Sequence, residues 1–121
     1  MSPEEMLRDL SQRLGLRFES QDWGIVNADP KRLTEFISFH ASQDLAPTQC
    51  FELGELILAS ANERRLDGST TEDEAIDMFI EFIQEYWTEQ QTHIAYWSSL
   101  SSSDEFPVAE VLQNIRRARL S

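Results

Sequence analysis

The chain has 121 residues, and its 22 acidic and 10 basic side chains give a net charge of −12 and an isoelectric point near 4.4. This length predicts one domain covering residues 1–121. The charge argues against nucleic-acid binding and against docking on an anionic membrane, because both need clustered lysine and arginine.

Targeting signals and cysteine usage indicate the compartment. Residues Met1–Glu5 contain neither a basic region nor an apolar run, so we expect no secretory signal. No stretch approaches the roughly 18 apolar residues of a membrane span. The single cysteine, Cys50, has no partner for an internal disulfide, which favours a reducing compartment and hence the cytoplasm. Its apolar neighbours indicate a buried rather than a reactive thiol.

The first predicted helix covers residues 2–14. Ser2 is a suitable cap, since its hydroxyl can accept a hydrogen bond from an N–H group of the first turn. Gly15 follows, and glycine commonly ends a helix because it adopts the left-handed conformation at little cost. Residues 16–28 show no helical period, and we expect a loop with one short extended pair there.

Two further helices are predicted over residues 29–42 and 48–65. The dipeptide Asp29-Pro30 is a typical start for the former. The latter is apolar around well over half of its circumference, so we expect it to be the central helix, buried among the others. Gly54 lies on its apolar side. Because a glycine inside a helix costs about 1 kcal/mol relative to alanine, we expect it to permit a close crossing.

A long amphipathic helix is predicted over residues 71–97, and a last helix over residues 107–119. Thr71 and Glu74 have the spacing of a capping box that would open the long helix. At about 1.5 Å per residue it would extend roughly 40 Å, so a bend or break near Thr92 would suit a small domain. About five helices and no convincing strand predict an all-α fold, packed as a compact bundle around the central helix.

The long helix carries acidic residues at steps of four, namely Asp73, Asp77, Glu81, Glu85 and Glu89. Like charges at this spacing each cost a helix about 0.2–0.5 kcal/mol. The chain has no lysine or arginine between Leu66 and Ile115 to offset them. Two interpretations remain open: a solvated face that keeps the protein soluble, or a docking surface for a basic protein. Met78 and Tyr96 map to the acidic side, and such side chains among carboxylates are typical of protein-binding patches.

Several titratable residues favour a different hypothesis, a metal-binding or hydrolytic helical bundle. Glu89 and His93 are four residues apart and would supply half of a metal site, but no further ligands are apparent. Glu52 and Glu55 form a carboxylate pair on the polar strip of the central helix. His40 lies on an apolar face, where a hydrogen-bonded core histidine is the simpler interpretation. We therefore predict no cofactor.

Together these patterns favour a small cytoplasmic protein without catalytic activity. The predicted function is stoichiometric binding of a basic protein through Asp77, Glu81, Glu85, Glu89, Met78 and Tyr96. An immunity or inhibitor protein that neutralises a cationic toxin is the most concrete form of this hypothesis, although only charge and helicity support it. The helical-bundle enzyme is the alternative, and a homodimer of unknown function is a third possibility.

Overall fold

The computed structural model describes residues 2–68, 73–100 and 105–120, and within these ranges every regular element is helical. The α-helices are α1 (Pro3–Leu14), α2 (Trp23–Val26), α3 (Leu33–Ser42), α4 (Pro47–Leu66), α5 (Glu74–Glu85), α6 (Gln91–Ser99) and α7 (Pro107–Leu120). A 3-10 turn, Pro30–Arg32, leads into α3. The predicted all-α bundle is confirmed, with more and shorter helices than expected.

The two ends of α1 follow the prediction. The Ser2 hydroxyl accepts a hydrogen bond from the Glu5 backbone N–H at 3.1 Å. Gly15 has a φ of +66°, and its N–H bonds back to the last turn of the helix. Both groups satisfy backbone atoms that a helix end otherwise leaves unpaired.

The centre of the bundle is α4, as its apolar circumference predicted. It packs against each of the other six α-helices. Leu53, Leu56, Ile57 and Leu58 are fully buried. Polar side chains also join it to its neighbours: the Asn62 side chain accepts from the Val108 N–H and donates to the Glu105 carbonyl, which fixes the start of α7. Through these contacts α4 positions the other helices.

Residues 16–28 differ from the predicted loop with an extended pair. They contain the short helix α2, and none of these residues is in a strand. Trp23 is 1% exposed, and its indole N–H donates to the Ser11 hydroxyl at 2.8 Å. A helix of four residues is too short to show a 3.6-residue period, so its packing against α4 and not its pattern identifies it.

The single helix predicted over residues 71–97 is wrong. Helix α5 ends at Glu85, residues 86–90 form a turn, and α6 begins at Gln91. The break lies one turn earlier than the position near Thr92 that length suggested. Its physical reason is Gln90, which is 1% exposed and presses its amide against α4 at Gly54. One straight rod would not keep its whole apolar face on a compact core.

Helix α5 begins at Glu74, and Asp73 is its cap. The predicted capping residue, Thr71, lies outside the described residues. The Asp73 carboxylate accepts from the Ala75 N–H at 3.0 Å and forms a two-pronged ion pair with Arg64, at 2.6 and 3.0 Å. Hydrogen bonding to Arg64 holds the pKa of Asp73 below its usual value.

None of the helices in the described ranges combines the length and the hydropathy needed to cross a bilayer.

Candidate protein-binding surface

Four of the five acidic residues predicted at steps of four are exposed, although the predicted long helix is divided into α5 and α6. Asp77, Glu81 and Glu85 lie at steps of four on α5, and Glu89 lies in the turn that follows; all four are exposed. We call these four residues the acidic face. Asp73 does not belong to it, because its side chain is only 9% exposed and is paired with Arg64.

The acidic face has no cation of its own among the described residues. None of the ion pairs in these ranges includes any of its four carboxylates. Arg119, near the chain end, stacks over the Trp87 ring, with 4.6 Å between the guanidinium carbon and the ring centre. The predicted uncompensated charge is therefore present on α5 and the turn after it.

The turn extends the negative potential towards the connection between α3 and α4. Burial, and then the charges of Glu85 and Glu89, raise the pKa of the Tyr86 phenol. Burial, and then Asp44 and Glu89, raise the pKa of the Cys50 thiol. Asp44 lies far from Glu89 in the chain, so spacing within one helix could not connect it with this surface. The thiol stays protonated at neutral pH, as expected for an unreactive cysteine.

The two apolar residues assigned to the acidic side have different environments. Met78 is half-buried and packs against the core, so only part of its side chain is available at the surface. Tyr96 is 61% exposed, but it lies on α6 and not on the helix that carries most of the acidic face. Its position on one helical wheel with Asp77 required a continuous helix, and the turn at residues 86–90 removes that relation.

An apolar groove of about 340 Å³ adjoins the acidic face between α5 and α7. Its walls include Ile76, Ile80 and Val111, and Asp77 lies at its rim. Arg65 also lines the groove, and no ion pair joins it to Asp77. The groove was not predicted from the sequence, because the helical pattern assigned all of these apolar residues to the core. Apolar periodicity shows which face of a helix points inward and not how completely a neighbouring helix covers it.

The buried polar centre of the molecule is formed by His40 and Gln90. The two side chains approach at 3.4 Å between Nε2 atoms, and the Gln90 amide also donates to the Cys50 carbonyl at 3.0 Å. The His40 ring makes edge contacts with Phe82 and Tyr86. Burial lowers its pKa. Phe82 is itself 3% exposed. His40 is thus a buried histidine packed among aromatic side chains.

The other candidate for a metal ligand, His93, is also buried. Its Nε2 atom forms a 2.7 Å hydrogen bond with the Phe51 carbonyl, and the two rings stack with centres 4.1 Å apart. That bond occupies one of the two ring nitrogens and leaves Nδ1 as the other potential ligand atom. Within the described ranges, no three or more His, Cys, Asp or Glu side chains are grouped as a metal site requires. Glu89 and His93 are therefore not joined by further ligands in this part of the chain.

Glu52 and Glu55 are half-buried on α4. Burial raises the pKa of both carboxyl groups; Glu55 adds to the effect on Glu52, and Asp22 adds to the effect on Glu55. A raised carboxyl pKa is common in acid–base catalysis, but a cleft holding a substrate is also needed. Glu52 lies at the edge of a cavity of about 160 Å³, smaller than a typical ligand site of about 300–1,000 Å³.

The histidines predict a pH dependence of stability. Burial lowers the pKa of both His40 and His93. The smaller opposing effects, from Glu89 on His40 and from the Phe51 carbonyl and Glu52 on His93, do not reverse this. Near pH 6.5 the unfolded chain therefore binds more protons than the folded chain, so stability falls as the pH drops below about 6.5. Urea denaturation between about pH 8 and about pH 5.5 measures this loss. A His40→Gln/His93→Gln variant should show a flatter profile, whereas an equally steep one would contradict the assignment.

Comparison with known proteins gives no match: no family model fits the chain, and neither the curated proteins nor the solved structures contain a similar one.

Proposed function

We propose that this protein acts by stoichiometric binding of a basic protein through the acidic face and the groove beside it. The observation that carries this proposal is the set of exposed carboxylates, Asp77, Glu81, Glu85 and Glu89, without an ion pair to any described cation of the chain. A basic partner would relieve their mutual repulsion and would be attracted from a distance. The net charge of −12 acts in the same direction.

Charge alone gives fast encounter rather than tight binding, so a complex also needs apolar contacts that exclude water. The groove lined by Ile76, Ile80 and Val111 supplies such a contact, and Asp77 at its rim connects it with the acidic face. An apolar side chain of the partner would occupy the groove, and its basic side chains would pair with Asp77 and Glu81. Met78, half-buried next to Asp77, stays in the proposed set.

The specific form of the proposal is an immunity or inhibitor protein for a cationic toxin such as a nuclease. A protein of this kind blocks its target by occupying a basic surface and needs no catalytic group of its own. A cytoplasmic location, which the single cysteine favours, is part of the same proposal.

The test is a comparison of two variants that lose the same charge. Asp77→Asn/Glu81→Gln removes the carboxylate at the groove rim and the next one along the acidic face, whereas Glu4→Gln/Glu5→Gln removes two exposed carboxylates on α1. Association rates with a candidate cationic toxin are measured by surface plasmon resonance at low and at physiological salt. We expect the first variant to associate about tenfold more slowly and the second to change less than about twofold.

The salt series provides an independent check. Steering by exposed charges weakens as the Debye length shortens, so the difference between the two variants should shrink at high salt. Equal effects of the two variants would show that only net charge matters, and the assignment of the binding surface would then be wrong.

A further inference from the structure

A second cavity, of about 380 Å³, is bordered by α6, by α7 and by Trp87 of the turn between α5 and α6. Apolar parts of its wall come from Trp87, Ile94, Ala95 and Leu120, and two arginines, Arg116 and Arg119, also line it. None of the described residues along its wall is an aspartate or glutamate. In a chain with 22 acidic side chains, this is an unusual local excess of positive charge.

The two guanidinium groups are not neutralised by carboxylates of the described chain. Arg116 and Arg119 are exposed, and none of the ion pairs in the described ranges includes either one. Arg119 is instead held over the Trp87 ring at 4.6 Å. Stacking of this kind uses the face of the guanidinium, while its N–H donors lie in the plane and can still bind an anion. The cavity therefore combines an aromatic wall with a positioned cation.

We propose that this cavity binds a small organic carboxylate with an apolar body, such as a medium-chain acyl or an aryl carboxylate. The carboxylate would pair with Arg116 and Arg119, and the apolar body would lie against Trp87, Ile94 and Leu120. The volume is near the lower end of the range of about 300–1,000 Å³ that is typical of small-molecule sites. A second copy of the chain is a poorer occupant, because a symmetric contact would bring four guanidinium groups together.

The net charge of the protein makes this proposal unusually easy to test. At long range a charge of −12 attracts cations and repels anions. Beyond roughly 8 Å that field is largely screened at physiological ionic strength, so the two arginines dominate inside the cavity. Preference for an anion over a cation of the same shape would therefore report the cavity and not the net charge.

The probes are octanoate, 1-octanol and octylammonium, which share an eight-carbon chain and differ in the charge of the head group. Binding is measured by calorimetry and by NMR shifts of the Trp87 indole N–H. We expect octanoate to bind at least about tenfold more tightly than either of the others. Arg116→Gln should weaken octanoate binding about fivefold or more, whereas Arg117→Gln, with the same charge change next to it on α7, should change it less than about twofold.

Three results would overturn the proposal. Equal affinities for octanoate and 1-octanol would leave only an apolar groove. Tightest binding of octylammonium would show that net charge decides. The third result is a Trp87 signal that octanoate does not shift. Circular dichroism of the Arg116→Gln and Arg117→Gln variants checks that both are folded, and none of these results depends on a basic protein partner.

Discussion

Replacing Gly24 with alanine is expected to lower the free energy of unfolding by about 3 kcal/mol, at the upper end of the range for overpacked cores. A Cβ atom on Gly24 would lie 2.7 Å from the Leu56 backbone nitrogen and 3.0 Å from the Glu55 carbonyl carbon. These are main-chain atoms of the central helix, so they cannot rotate away. Helix α2 would have to move off α4, and Trp23 would lose part of its burial.

Thermal and urea denaturation measure this effect. For a chain of this length, a loss of 3 kcal/mol corresponds to a fall in Tm on the order of 10 °C. Ile25→Ala is the matched control, since Ile25 is on the same short helix and 49% exposed. We expect it to cost less than about 1 kcal/mol. A Gly24→Ala variant as stable as this control would show that α2 is not held against the α4 backbone as described.

The second large effect is expected at Gly54. In most helices a change from glycine to alanine stabilises by about 1 kcal/mol. Here a Cβ atom would overlap the side-chain amide of Gln90, which is 1% exposed and held by hydrogen bonding to the Cys50 carbonyl. Displacing that amide breaks a buried hydrogen bond and overpacks the core. We therefore expect Gly54→Ala to destabilise by about 2 kcal/mol, opposite in sign to the intrinsic helix preference.

A double-mutant cycle separates this clash from a general intolerance at Gly54. Gln90→Ala alone should also destabilise, because it leaves a void and removes the neighbour of His40. In the double variant the new methyl group occupies part of the space that the amide vacates. The double variant should thus be at least about 1 kcal/mol more stable than the sum of the single changes predicts. Additive effects would contradict the proposed contact.

The same contact has a consequence for the acidic face. Gln90 is the buried residue of the turn at 86–90, and Glu89 precedes it at the surface. Insertion of the Gln90 amide between His40 and Gly54 therefore fixes where α5 ends and where Glu89 is presented. The packing of Gln90 against Gly54 therefore also determines the shape of the proposed binding surface.

Helix boundaries with chemical signals were predictable. Ser2 and Gly15 bound α1, Asp29 caps the turn before α3, and the apolar circumference of α4 identified the central helix before any contact was known. These features depend on residues within one or two turns of each other, so local sequence contains the information. The charge of the acidic face is equally local, since no lysine or arginine occurs between Leu66 and Ile115.

The break between α5 and α6 was not predictable in the same way. Periodicity continues through residues 86–90, and Gln90 appears on a helical wheel only as one polar residue on an apolar face. Its role depends on Gly54 and His40, which are 36 and 50 positions earlier in the chain. For the same reason α2, whose position depends on packing against α4, was taken for a loop.

The sequence by itself determined the helical class, the central helix and the strong negative charge, because each follows from composition or from spacing within one element. The tertiary structure alone decided which carboxylates stay unpaired, where the long amphipathic segment divides, and which apolar side chains border open grooves. Those outcomes depend on how neighbouring helices cover one another, and that coverage is set by contacts between residues far apart in the chain.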